Sequence, residues 1–400
     1  MTVGIKPKVA IGQAGGPTAV INASLVGFLE AAKSAYTTYG VVNACQGLVN
    51  DWIYEIDDDV YGNLSRYRHL PGAALGSGRW AMTEEDFHTA VHHLKRRDIH
   101  LLVLIGGNGT MYACQEMARA ADKLGYDLAV AGIPKTVDND LMETDHTPGY
   151  GSAARYVAAT VRDIGEDLKS MRNFESVRIM ETMGRNVGWL TAASMLLKES
   201  EEQPPHLIYV PERAFELDEF LQDVEQTVSR IGHAAVVISE GLRDRNGELL
   251  SKLTLHEKMT NTVLGGASRF LADQVSARLN LPSRAEMLGM NQRCFSSMVS
   301  NADRREAEAL GAAAAELLLK GESGRMVTLV REELPDERYA YRPGSCRLEA
   351  VAGIERLLPA DVVNERGTAI SPAFKNWLRS LTGDDLQSFP DWSFHRAAST

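Results

Sequence analysis

The chain has 400 residues, with 42 basic and 53 acidic side chains and a net charge of −11. That balance argues against nucleic acid or an anionic membrane surface as a partner, and Cys45, Cys114, Cys294 and Cys346 are spaced too widely for a Cys-x-x-Cys metal site or a disulfide framework. No stretch is long and apolar enough to span a bilayer, so the sequence predicts a soluble, cytoplasmic protein that splits into two lobes at this length.

The first predicted element is an apolar strand at residues 8–12. It runs into Gly15-Gly16 and a helix from 17 to about 34, with Pro17 in the first turn, where a missing N–H costs nothing. An isolated Gly-Gly is more often a plain tight turn than a ligand loop. This one opens a helix, whose unpaired N–H groups and dipole favour phosphate, and no Walker lysine follows it. Arg79 follows Gly76-Ser77-Gly78; a surface position is the usual fate of an arginine, but this setting lets the backbone turn sharply.

Residues 101–105 are a continuous apolar run of the kind found in a strand buried on both faces. The run ends at Gly106-Gly107 and leads into a helix from about 110 to 124, so the glycine device occurs twice. Residues 128–133 repeat the strand pattern and deliver Lys135, Thr136, Asp138 and Asp140. Asp-Asn-Asp alone is as good a turn as a site. With Lys135 and Thr136 beside it, the segment holds what phosphoryl transfer needs: a carboxylate to take a proton, another for a divalent cation, and a lysine to neutralise phosphate oxygens.

Farther along, strands at 176–180, 207–210 and 234–239 alternate with helices at 188–197 and 217–231 and outline a second α/β lobe. The acidic run at 199–202 reads as a solvated loop. The recurrence of strand, glycine turn and helix predicts an α/β fold of two doubly wound lobes with largely parallel sheets, in which ligands sit at the carboxyl ends of the strands.

In order and spacing, residues 11–22, the Gly76–Arg79 turn, Gly106 to Thr110, residues 133–153, Met183-Gly184-Arg185 and Pro211-Glu212 resemble the phosphofructokinase family, in its longer bacterial branch. A lone glycine loop would be weak grounds; ordered blocks along most of the chain are strong ones. The resemblance implies a donor-phosphate lobe of 1–150 plus about 264–332 and a sugar-phosphate lobe of 151–263 plus about 333–400, in a homodimer or homotetramer. It implies that Gly15, Gly16, Arg79, Gly107, Asn108, Gly109 and Thr110 hold the donor, and that Asp140, with Asn108, positions Mg²⁺. Asp138 is then the general base, Thr136 and Lys135 meet the transferring phosphoryl group, and Met183, Gly184, Arg185, Glu212, Asn261 and Arg293 hold the sugar phosphate.

Relatives that use pyrophosphate typically carry Asp in the slot of Gly109 together with a lysine at the position of Lys135. This chain has the lysine without the aspartate, so ATP is the expected donor and pyrophosphate the alternative. On the acceptor side, Asn261 and Val263 replace a family histidine and glutamine, and Ser176 stands where typical bacterial members have arginine. Arg178, Arg269, Arg293 and Lys258 are the cations available to compensate. The expected reaction is transfer to the 1-hydroxyl of fructose 6-phosphate or a related sugar phosphate. A non-catalytic metabolite sensor of the same fold is disfavoured, because binding alone does not need the base Asp138.

Overall fold

The computed structural model describes residues 6–250, 265–333, 339–383 and 385–390. Among these, the strands are β1 (Lys8–Gln13), β2 (Thr37–Val41), β3 (Ile53–Glu55), β4 (Leu101–Gly106), β5 (Ala129–Pro134), β6 (Val177–Thr182), β7 (Leu207–Tyr209), β8 (Ala234–Ser239), β9 (Ser283–Met287), β10 (Arg325–Glu333) and β11 (Tyr339–Arg347). They build two sheets, one in each of two compact units, Met1–Ala153 with Arg293–Arg356 and Ala154–Gln292 with Leu357–Thr400.

The first unit holds a seven-stranded sheet in the order β11-β10-β5-β4-β1-β2-β3, parallel except for the edge pairs β2 with β3 and β10 with β11. The predicted apolar runs become its central strands β1, β4 and β5, each buried beyond its first residue because helices cover both faces. Val9 and Ile11 pack under the helices Ile21–Ala32 and Asn301–Leu319, while Ala10, Leu102 and Leu104 face the helices Glu84–Arg96 and Asn108–Lys123. The helices Ile21–Ala32 and Asn301–Leu319 meet backbone to backbone. A Cβ added at Gly27 would lie 2.1 Å from the Glu308 carbonyl oxygen, and one at Gly311 would lie 2.2 Å from that of Ser24.

The second unit holds a four-stranded, wholly parallel sheet in the order β7-β8-β6-β9. The helix Leu217–Ile231 closes on Gly232 at φ 93°, a left-handed position that favours glycine, and turns the chain into β8. The expected α/β class with mostly parallel sheets is what the structure contains.

The chain re-enters the first unit at Arg293 rather than near 264, because β9 pairs in parallel with β6 and the helix Ala267–Leu279 packs on that sheet. It stays there to Arg356 rather than leaving near 333, because β11 pairs along its whole length with β10. The first helix begins at Ile21, since residues 15–20 are spent on a loop. The helix expected at 188–197 is regular only over Trp189–Ala193, after which Met195 and Leu196 donate to carbonyls three residues back.

Candidate active site

In the first unit β5, β4 and β1 are neighbours and run parallel, so the loops after Pro134, Gly106 and Gln13 leave from one edge of the sheet. Backbone bonds fasten them together: Ala14 N–H to Ile105 O at 2.8 Å and Lys135 N–H to Gly106 O at 2.9 Å. Two buried amides anchor the segment leading to Arg79. Gln13 Oε1 accepts from Leu75 N–H at 2.9 Å, and Asn22 Nδ2 donates to Leu70 O and Gly72 O at 2.9 and 2.6 Å. Gly15 N–H donates to Gly78 O at 3.1 Å and Ser77 Oγ to Gly15 O at 2.5 Å, so the arginine turn rides on the first glycine loop.

Three cations converge on that loop. Lys135 Nζ, on a side chain only 2% exposed, donates to Gly16 O at 2.7 Å. A Cβ at Gly16 would lie 2.5 Å from Arg293 Nη1 and 4.0 Å from Arg79 Nη2, so a side chain here would fill the space where the guanidinium groups gather. Burial pushes the Lys135 ammonium down to about 8, with Arg293 and Arg79 adding to the fall and the carboxylates of Asp138 and Asp140 opposing it. Such a group of cations over a glycine turn suits phosphate oxygens. Arg293, expected on the sugar phosphate, thus stands in the first unit beside Gly16.

The Asp138 N–H donates to Thr136 Oγ1 at 3.1 Å, and the Thr147 hydroxyl donates to Thr136 O at 2.9 Å, which holds the turn that carries Asp138 and Asp140. Asp140 Oδ1 is buried without a hydrogen-bond partner. Burial first and the Asp138 charge second raise the Asp140 carboxyl to about 7. A buried carboxylate oxygen with no donor suits a cation that brings its own remaining ligands. No group of three His, Cys, Asp or Glu residues placed to hold a metal occurs among the described residues.

Gly107 caps the helix Asn108–Lys123 and so leaves its first N–H groups open. Thr110, 7% exposed, folds over Gly106, where an added Cβ would lie 2.1 Å from its Oγ1. Gly109 has nothing within 4 Å of an added Cβ. Asn108, expected to help hold Mg²⁺, has both ends of its amide engaged elsewhere: Oδ1 accepts from Gly353 N–H at 2.7 Å and Nδ2 donates to Ile354 O at 2.6 Å.

In the second unit β7, β8 and β6 bring Glu212, Glu240 and Met183-Gly184-Arg185 to one sheet edge. Gly184 has φ 139° and its carbonyl accepts from the Ser239 hydroxyl; Met183 N–H donates to Gln292 Oε1 at 3.0 Å. Glu212 Oε1 accepts from Gly188 N–H and Leu358 N–H, both at 2.9 Å, while its Oε2 is buried without a partner. Burial raises the Glu212 carboxyl, against those two N–H groups. An oxygen so placed suits a sugar hydroxyl.

The compensating cations fare differently from expectation. Arg178 is tied to both Glu175 oxygens at 2.7 and 2.8 Å and to Asp167 at 3.2 Å, and Arg269 is exposed and paired with Asp273 at 3.3 Å. Ser176 lies before β6, roughly 23 Å of strand from Met183 at about 3.3 Å per residue. Asn261, Lys258 and Val263 lie outside the described residues.

Several supporting residues escaped the sequence reading. Asp303, 1% exposed, accepts from Gly149 N–H at 2.7 Å and from Ser152 N–H and Oγ at 2.9 and 2.5 Å, and so fixes the turn after the double-Asp segment. Gln292 supports Met183. Neither lies in a motif, and their partners are remote in sequence.

A family model described as Phosphofructokinase matches residues 8–318. The chain belongs to the phosphofructokinase family. It is 44% identical over 375 residues to a sulfofructose kinase of Alkalicoccus urumqiensis, covering 94% of this chain and 95% of that one. It is 35% identical to a pyrophosphate–fructose 6-phosphate 1-phosphotransferase of Rhodospirillum rubrum, again covering 94% and 95%. The crystal structure of a pyrophosphate-dependent phosphofructokinase from Marinobacter aquaeolei matches with a TM-score of 0.83 at 31% identity, covering 97% of this chain and 94% of that one. The protein is therefore a sugar-phosphate phosphotransferase of the phosphofructokinase type. Among the described residues no helix is long and apolar enough to cross a membrane.

Proposed function

We propose that this phosphofructokinase relative moves the terminal phosphoryl group of ATP to the 1-hydroxyl of a fructose bearing an anionic group at C6. The observation that carries the donor choice is the open flank of Gly109, where nothing lies within 4 Å of an added Cβ. Glycine leaves room for a nucleotide's α-phosphate and adds no charge against it. Lys135, Arg79 and Arg293 neutralise the phosphate chain over Gly15 and Gly16, and the open N–H groups after Gly107 hold another part of it. Asp138 takes the proton of the attacking hydroxyl, and Thr136 orients the phosphoryl group. Met183, Gly184, Arg185 and Glu212 hold the sugar. Asp140 fits Mg²⁺, which would supply charge neutralisation on the phosphate oxygens.

For the acceptor we favour sulfofructose over fructose 6-phosphate. Arg178 is committed to Glu175 and Asp167 and Arg269 to Asp273, so neither of these two cations is available to a C6 phosphate. A sulfonate carries a single charge where a phosphate monoester carries nearly two at neutral pH, so neutral donors such as Asn261 can serve it. The 44% identity to a sulfofructose kinase supports the same choice. Initial rates for sulfofructose and fructose 6-phosphate, each with ATP and with pyrophosphate, test both halves. We expect the highest kcat/KM with sulfofructose and ATP; a preference for pyrophosphate overturns the donor and a preference for fructose 6-phosphate the acceptor.

A further inference from the structure

Residues 353–356 form a strap that is bonded at one end to the start of the second glycine helix and at the other to the double-Asp segment. Gly353 N–H donates to Asn108 Oδ1 at 2.7 Å, and Asn108 Nδ2 donates to Ile354 O at 2.6 Å. Leu141 and Glu355 pair as an antiparallel bridge, and Arg356 N–H donates to Asp140 O at 2.8 Å. The Arg356 guanidinium closes the strap with Nη1 bonds to Thr144 O and Asp145 O at 2.9 and 2.7 Å.

Asn108 meets the strap with both a donor and an acceptor, which only a carboxamide offers in this geometry. An aspartate would keep the bond from Gly353 but would set a carboxylate oxygen against the Ile354 carbonyl. The strap thus accounts for an amide at position 108. Gly353 has φ 77°, a left-handed conformation that lets the chain turn back toward Asn108. Ile354, bonded through its carbonyl to the residue before Gly109, carries an apolar side chain that is 44% exposed.

We propose that the 353–356 strap is a wall of the donor site and that Asn108 is the positioning residue that holds it there. Asn108 then acts on donor affinity through the strap rather than as a cation ligand. The inference rests on the reading of the two glycine loops as the donor-phosphate site, and it adds that the far side of that site is built from a segment distant in sequence. An apolar residue at its tip suits a donor with a base and ribose beyond the phosphates.

Amide hydrogen exchange on the wild-type protein tests this without any variant. With Mg²⁺ and the working donor, exchange at residues 353–356 should slow several-fold, and with the acceptor alone it should not change. Kinetics then tests the residue: Asn108→Asp should raise the donor KM about tenfold, the scale expected for one lost hydrogen bond plus oxygen–oxygen repulsion, while kcat and the acceptor KM stay within about twofold. Ile354→Ala, which keeps both backbone bonds to Asn108, should raise the KM for ATP and leave that for pyrophosphate alone. A donor that leaves the strap unprotected overturns the proposal, as does an Asn108→Asp protein that loses kcat at an unchanged donor KM. If the wild type turns over with pyrophosphate and not with ATP, the donor reading falls, and protection by pyrophosphate still decides the strap.

Discussion

Nε2 of His146 lies 2.7 Å from Oε2 of Glu306, while the other ring nitrogen lies 2.8 Å from Oδ2 of Asp145. Both nitrogens face carboxylates, so the ring is held as an imidazolium although it is fully buried. Tyr339 donates to Glu306 Oε1 at 2.5 Å, Arg331 bonds to Asp145 at 3.1 and 3.3 Å, and Arg356 donates to the Asp145 carbonyl. The cluster ties the segment that carries Thr136, Asp138 and Asp140 to the helix Asn301–Leu319.

Burial alone would lower the His146 pKa; the charges and hydrogen bonds of Glu306 and Asp145 outweigh it and raise it to about 9. Its contribution to stability is complete below the unfolded value of about 6.5 and disappears as pH rises through about 9. We expect the melting temperature of the wild type to fall between these limits, and that of His146→Gln to start lower and vary less with pH. Breaking a buried pair costs about 3–5 kcal/mol, because Glu306 keeps the Tyr339 hydroxyl but loses the charge that balances it. Thermal unfolding at a series of pH values checks this; parallel curves for the two proteins would remove the imidazolium.

Asp138→Asn removes a proton acceptor and almost no volume, and the bond from its N–H to Thr136 Oγ1 does not involve the side chain. The expected result is a loss of about 10²–10⁴ in kcat with donor and acceptor KM values near those of the wild type. Steady-state kinetics with both substrates varied checks it; near-normal kcat would place the base elsewhere.

Gly109→Asp should fold well, since no atom lies within 4 Å of its added Cβ and an acidic residue is favourable in the first turn of a helix. We expect kcat/KM for ATP to drop far more than that for pyrophosphate. A comparable loss for both donors, with unchanged melting temperature, would show that the space beside Gly109 does not hold the nucleotide's α-phosphate.

Much of this was legible in the chain because the informative contacts are local. The runs 101–105 and 128–133 lack alternation, which reads directly as strands covered on both faces, and the glycine loops and Lys135 to Asp140 follow them within a few residues. What was not legible depends on contacts remote in sequence. Arg293 joins Lys135 at Gly16 only because the chain returns to the first unit, and Asn108 meets Gly353 only because the β10–β11 hairpin carries the chain back to the sheet edge. Arg178, by contrast, has its partners near it in the chain, Glu175 three residues back and Asp167 eleven.

Glu212→Gln keeps an acceptor for the Gly188 and Leu358 N–H groups and changes only the outward half of the group, where Oε2 has no partner. If that oxygen accepts sugar hydroxyls, the acceptor KM should rise about tenfold, as for the loss of a charge-assisted hydrogen bond, with the donor KM unchanged. Kinetics at saturating donor checks it. An unchanged acceptor KM would make Glu212 a brace for the loops around Gly188 and Leu358.

The most direct test of phosphoryl transfer from ATP to a C6-anionic fructose is phosphorus NMR of the protein with Mg²⁺, ATP and sulfofructose. We expect ADP to accumulate in step with a new phosphomonoester signal split by the two methylene protons of C1, and Asp138→Asn to suppress both. No new ester with sulfofructose or fructose 6-phosphate, or an ester that forms only when pyrophosphate replaces ATP, would contradict it.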